Sequence, residues 1–194
     1  MTIAVIKYNA GNIQSVSFAL DRLNVNYQVT DNHEVIRSAD KVIFPGVGEA
    51  STTMAFLRDK KLDEMIPTLK QPVLGICLGM QLMCAYSEEN NTPCMGIFGE
   101  SVVKFKPSAS LKVPHMGWNA LQDARGWFPA ELEQQFVYFV HSYYVPLCPD
   151  TVATTQYGIS FSAALQKGNF YAVQFHPEKS ANAGERVIKA FLQV

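Results

Sequence analysis

The sequence predicts an open α/β sheet, mostly parallel and flanked by helices, with an antiparallel β extension in its second half. Three observations lead there. Short β-rich runs alternate with helical stretches up to about residue 92, closely spaced hairpin-like runs follow, and no composition break, repeat or Gly/Ser linker divides the chain. One domain over residues 1–194 is expected, and 48% hydrophobic residues suffice for a sizeable core.

Taken in order, Thr2–Tyr8 reads as the first strand, and the stretch from Asn12 carries apolar residues at Ile13, Val16, Leu20 and Leu23, the spacing of one helix face. Further β-rich runs lie at Tyr27–Thr30, Lys41–Phe44 and Pro72–Ile76. Helical stretches between them give the crossovers that a parallel sheet requires. Leu78–Tyr86 reads as a helix, and Ser101–Phe105, Phe136–Val140, Thr151–Gln156, Ser160–Gln166 and Asn169–Phe175 read as strands before a last helix near Gly184–Leu192.

Charge excludes some classes of function. Sixteen Lys and Arg against 17 Asp and Glu offer no cationic face to match a phosphate backbone, so no nucleic-acid partner is expected. The start, MTIAVIKYNAGN, lacks the pattern of a secretory signal, and no apolar run reaches membrane-spanning length, which predicts a soluble, cytoplasmic protein. Cysteines stand at 77, 84, 94 and 148 with no CxxC pair, so a disulfide framework is not expected. Cys84, Cys94, His115 and His141 lack paired-ligand spacing, so no metal or other cofactor is predicted, and Cys84, Cys94 and Cys148 read as small buried apolar groups.

Cys77 is different. It sits in Gly75-Ile76-Cys77-Leu78-Gly79, between a β-rich run and a helical one, a G-x-C-x-G arrangement equivalent to the serine-centred nucleophile elbow. Flanking glycines make room for so sharp a turn. The helix start favours a thiolate over the weakly ionised free thiol, and the Leu78 N–H can face the oxyanion of a tetrahedral intermediate. On its own the pattern is weak, because a cysteine between glycines is often structural.

A partner base appears where Tyr171–Phe175 runs into His176-Pro177-Glu178. Strand alternation would put His176 and Glu178 on one face, and Pro177, which cannot donate a ladder hydrogen bond, suits a strand end. Glu178 can then hold one imidazole nitrogen while the other addresses Cys77, the logic of a Cys-His-acid triad. His141, after Phe136–Val140, reads as structural or substrate-lining.

Gly75-Ile76-Cys77-Leu78-Gly79-Met80-Gln81 together with Phe175-His176-Pro177-Glu178 resembles the signature of the class I, triad-type glutamine amidotransferases. That resemblance implies a flavodoxin-like sheet, a γ-glutamyl thioester on Cys77, and glutamine contacts from Gln81 and Glu89. Gln81 also follows from geometry, since i+4 from Cys77 is the same helical face, whereas Glu89 rests on the resemblance. Asn9-Ala10-Gly11-Asn12, Pro45-Gly46-Val47-Gly48, Val113–Asn119, Phe139-Val140-His141-Ser142-Tyr143 and Lys179-Ser180 resemble one branch of the family. Its members are glutaminase subunits of heterodimers with a (β/α)₈-barrel cyclase that makes imidazole glycerol phosphate and an aminoimidazole carboxamide ribotide.

The branch implies Ser142 and Tyr143 at the glutamine site, Gly46, Val47 and Gly48 as source of a second oxyanion donor, and Asn12, Trp118, Tyr138 and Lys179 at the cyclase interface. Val47 stands where many members carry another glycine, which points to an oxyanion hole completed only on a signal from the partner. Ile6-Lys7-Tyr8-Asn9 stands where many carry an acidic residue. Trp118 and Tyr138 could equally be core aromatics. A different synthase partner, such as an aminodeoxychorismate or pyridoxal-phosphate synthase, leaves the chemistry at Cys77 unchanged. An elbow-cysteine peptidase would lack Gln81 and the terminal H-P-E.

Overall fold

In the computed structural model, which describes residues 1–8, 13–108 and 111–194, the β-rich runs of the first half form strands of one central sheet. The first half builds β1 (Thr2–Ile6), α1 (Ile13–Arg22), β2 (Asn26–Thr30), α2 (His33–Ser38), β3 (Lys41–Phe44), α3 (Ala50–Asp59), α4 (Leu62–Met65), β4 (Val73–Ile76) and α5 (Leu78–Met83). Short strands β5 (Tyr86–Ser87) and β6 (Thr92–Pro93) lead into β7 (Ser101–Lys104), β8 (His115–Ala120), β9 (Phe136–His141) and β10 (Tyr143–Tyr144). Finally come β11 (Thr151–Tyr157), β12 (Ile159–Lys167), β13 (Phe170–Val173) and α6 (Ala181–Gln193).

The seven-stranded sheet runs β11-β12-β13-β4-β3-β1-β2. β13, β4, β3, β1 and β2 pair in parallel, while β11 and β12 add an antiparallel hairpin at one edge. The expected extension is therefore split. β11 and β12 lengthen the main sheet, β10-β7-β5-β6 form a small sheet of their own, and β8-β9 form a separate hairpin.

Burial on both faces explains why β1, β3, β4 and β13 read as largely apolar runs, whereas β2, at the sheet edge, is mostly exposed. Successive residues point to opposite sides. Ala4, Ile6, Val42 and Phe44 meet Ile36, Met54, Leu57 and Leu62 from α2 to α4 on one face. Ile3, Val5, Ile43 and Leu74 meet Val16 and Leu20 of α1 and Val187 and Phe191 of α6 on the other, where Phe139 and Phe175 also pack. Parallel strands held this way end together, so β4 and β3 deliver Cys77 and the Pro45–Gly48 loop to the same edge, where ligands bind in open α/β sheets.

Three local readings need correction. The helix predicted to Tyr86 stops at Met83, because the Ala85 N–H bonds the Glu100 carbonyl and carries the chain into the small sheet. His115–Ala120, unassigned from sequence, is a strand paired residue for residue with β9. Cys84 is buried as expected, but Cys94 and Cys148 are only partly so. Among the described residues no helix is long and apolar enough to cross a membrane.

Candidate active site

Cys77 occupies the junction of β4 and α5 with φ +53° and ψ −108°, a conformation few side chains adopt and one typical of strained functional turns. Its N–H bonds the Val173 carbonyl at 2.8 Å, and its carbonyl takes the Gln81 N–H at 3.2 Å, fixing the turn between β13 and the helix. The glycines are there for space. A methyl group on Gly79 would lie 2.1 Å from the Phe44 carbonyl oxygen, and one on Gly46 would lie 2.3 Å from the Gly79 nitrogen. Gly79→Ala is accordingly expected to destabilise the fold by about 3 kcal/mol or more, because the obstacle is backbone that cannot move aside. A denaturant midpoint equal to wild type would contradict this.

His176 and Glu178 meet as expected, though not by strand alternation. β13 ends at Val173, and Pro177–Lys179 form one turn of 3-10 helix that folds Glu178 back onto the ring. His176 Nδ1 bonds Glu178 Oε1 at 2.7 Å with both side chains buried. The turn is braced from outside: the His176 N–H donates to the Tyr138 carbonyl at 2.9 Å, and Ser180 Oγ donates to the His176 carbonyl at 2.6 Å while accepting the Tyr138 N–H at 2.9 Å. Burial by itself lowers the His176 pKa, but the adjacent Cys77 sulfur, and after it Glu178, outweigh burial and carry it up to about 10. The imidazolium is thus the favoured form at neutral pH.

These groups open into a cavity of about 330 Å³ lined by Val47, Gly48, Cys77, Leu78, Gln81, Glu89, Pro114, Val140, His141, Ser142, Tyr143 and His176. Glu89, placed from the resemblance alone, reaches it because the Ala50 N–H at the start of α3 holds its Oε2 at 2.8 Å. Burial raises the pKa of this carboxyl. Gln81 presents less than expected, since its Nε2 already donates to the Tyr143 carbonyl at 2.9 Å and to Gln174 Oε1 at 3.0 Å. Only Gln81 Oε1 remains for a ligand. The Tyr143 carbonyl is likewise engaged, by Gln81 and by His141 Nδ1 at 2.7 Å.

The peptide expected to serve the oxyanion is turned the other way. The Leu78 N–H, expected to be free, donates at 3.3 Å to the Gly46 carbonyl, so this peptide points an acceptor where a donor is required. Tyr8 bears on the same loop, its hydroxyl bonding the Pro45 carbonyl at 2.6 Å.

His141 accounts for itself through a second histidine. Because His141 Nδ1 donates to a carbonyl, its Nε2 must accept, and His115 Nδ1 supplies the proton at 3.0 Å. Burial lowers His115 to about 4 and His141 to about 3, so both rings are neutral in the fold. An unfolded chain, whose imidazoles titrate near their ordinary value, binds more protons between those limits. Stability is expected to be full above about pH 6.5 and to fall as the pH drops toward about 4 and 3. His176 acts oppositely, its contribution being full below about pH 6.5 and lost as the pH rises from there through about 10. A thermal midpoint at about pH 5 as high as that at about pH 8 would contradict this reading.

Of the residues expected at an interface, Trp118 is 52% exposed and Lys179 is exposed, whereas Tyr138 is half-buried. Trp118 and Tyr138 pair directly across the β8-β9 hairpin with ring centroids 6.0 Å apart. Their face carries Met116 and Phe136 as well, 63% and 59% exposed, so Trp118 is not a core aromatic. Asn12 lies outside the described residues.

An elbow cysteine beside a buried His-Glu pair, at the strand-end edge of an α/β sheet, has the arrangement of a thiol nucleophile with its base, and the family described as glutamine amidotransferase class-I matches residues 4–194. The chain belongs to the class-I glutamine amidotransferase family. It is 59% identical, over the whole of both chains, to the imidazole glycerol phosphate synthase subunit HisH of Bacteroides fragilis. It is 44% identical to the protein of the same name from Haemophilus influenzae, covering all of this chain and 98% of the other. Among solved structures, a glutamine amidotransferase superposes with a TM-score of 0.76 at 18% identity over 98% of this chain and 97% of that one, a likeness of fold.

Proposed function

We infer that this chain is the glutaminase subunit of an imidazole glycerol phosphate synthase, releasing ammonia from glutamine for a cyclase subunit. The observation that carries the chemistry is the convergence of Cys77 with the buried His176–Glu178 pair on one cavity of a size suited to a small ligand. Cys77 Sγ attacks the side-chain amide carbon of glutamine, and the His176 imidazolium hands its proton to the departing ammonia. A γ-glutamyl thioester remains. Water, deprotonated by His176, then hydrolyses it to glutamate, with Glu178 holding the ring in one orientation throughout. Gln81 Oε1 and the Glu89 carboxylate are acceptors matched to the α-ammonium group of glutamine. Ser142 and Tyr143 complete the wall. After the loop turns, Val47 and Leu78 supply the oxyanion donors.

The partner is a separate cyclase chain, which we place on the exposed face of β8-β9. An exposed apolar patch of Met116, Trp118 and Phe136, with the Lys179 cation near its edge, has the make-up of a protein-binding surface. The test is to mix the purified chain with a cyclase subunit and its nucleotide ligand and to follow glutamate release and complex formation. Activation is expected with this cyclase and not with the synthases of other amidotransferases. Trp118→Ala is expected to weaken binding by about 2 kcal/mol, roughly thirtyfold, without unfolding the chain. Absence of activation would remove the cyclase assignment while leaving the glutaminase chemistry to its own test.

A further inference from the structure

Gln174 lies between the end of β13 and His176, its side chain is fully buried, and the chemistry above does not use it. Its orientation follows from a chain of hydrogen bonds in which each link forces the next. The Tyr143 carbonyl can only accept, so the Gln81 atom 2.9 Å away is the amide nitrogen. That nitrogen donates again, at 3.0 Å, so the facing atom of Gln174 is its oxygen. The nitrogen of Gln174 is thereby turned toward Cys77 Sγ, 3.7 Å away, and donates to the sulfur. A further sulfur contact is the Val140 carbonyl at 4.0 Å, which accepts a hydrogen bond from a thiol but repels a thiolate.

We infer that Gln174 is a donor to the nucleophile, delivering an N–H to Cys77 Sγ that stabilises the sulfur as an anion and holds it on the line of attack. A buried amide whose other end is locked cannot rotate to offer its oxygen instead, so a donor and not an acceptor faces the sulfur in the fold. Hydrogen bonds to a charged atom are worth more than those between neutral groups, and an unmade one in a buried site is not replaced by water. His176 supplies charge from one side and Gln174 a directed dipole from another. Because Gln81 sets the orientation of Gln174, the residue that faces the ligand with its oxygen also tunes the sulfur through its nitrogen. This inference rests on Cys77 being the nucleophile, and its experiment separates the two.

The measurement is the pH dependence of Cys77 alkylation by iodoacetamide, read at the Cys77 peptide by mass spectrometry so that Cys84, Cys94 and Cys148 do not contribute. Gln174→Met keeps length and apolar bulk but has no donor. Its alkylation rate at neutral pH is expected to fall about tenfold, with the rise of rate moved up by about one pH unit, while the thermal midpoint changes little. Gln81→Met, which releases the far end of the Gln174 amide, is expected to move the profile in the same direction by less, and it carries the test should Gln174→Met not fold. A wild-type profile in the folded variants, with or without a lower thermal midpoint, overturns the inference by reducing Gln174 to packing. If wild-type protein with its partner forms no glutamate, the nucleophile reading fails by a different signal.

Discussion

Replacing Cys77 with alanine is expected to lower glutamate release in the partnered enzyme by at least about 10³-fold, since loss of any member of a concerted triad removes nearly the whole covalent route. The fold should survive. The alanine inherits the φ of +53° but brings no new atoms into the elbow, and the backbone bonds that fix the turn, from Cys77 to Val173 and from Gln81 to Cys77, are unaffected. His176→Gln is expected to fall nearly as far, and the double variant little further, because members of one relay are not additive. Cys84→Ala, outside the cavity, is expected to leave the rate unchanged, and an electrophilic glutamine analogue is expected to label wild type at the Cys77 peptide. Residual activity within about tenfold of wild type in Cys77→Ala would sink the assignment of the nucleophile.

The second large effect concerns the closed oxyanion position. With the Gly46 carbonyl bonded to the Leu78 N–H, a tetrahedral intermediate would meet an acceptor where it needs donors. Turning that peptide frees Leu78 and brings the Val47 N–H inward. One such donor is worth about 10² to 10³ in kcat. The unpartnered chain is therefore expected to hydrolyse glutamine about 10² to 10³ times more slowly than the complex, with the difference in kcat rather than KM. The Tyr8 hydroxyl, bonded at 2.6 Å to the Pro45 carbonyl, holds the loop in its closed form, so Tyr8→Phe is expected to raise the unpartnered rate severalfold. Equal kcat for isolated and partnered chain would show that the carbonyl is no obstacle.

Much of this arrangement was legible in residue patterns. The parallel strands β1, β3 and β4 read out because burial on both faces makes them short, largely apolar runs, the exposed edge strand β2 read out only from its β-rich residues Tyr27–Thr30, and the elbow read out because the Gly75 and Gly79 positions admit no side chain. The pairing of His176 with Glu178 was anticipated for the wrong reason. Alternation and a 3-10 turn both bring residues i and i+2 together here, and only the end of β13 at Val173 distinguishes them. β8 was missed because Gly117 interrupts its run, and its outer side chains, Met116 and Trp118, are large and exposed rather than polar. Gln174 was missed because one polar residue between Val173 and Phe175 looks like ordinary strand alternation. Its full burial, which makes it informative, appears only in three dimensions. The state of the oxyanion position depends on one peptide's rotation, and a sequence carries no sign of that.

On the proposed function, a backbone that slows hydrolysis until a partner turns one peptide separates the abundance of this chain from its activity. Such a chain is expected to accumulate beyond its partner while releasing ammonia about 10² to 10³ times more slowly than the complex, so tight matching of the two chains' synthesis is not demanded by their chemistry. Matching is demanded instead by the β8-β9 face, where unpartnered Met116, Trp118 and Phe136 invite self-association. Surplus of this chain is therefore expected to show itself as self-association through that face rather than as loss of glutamine.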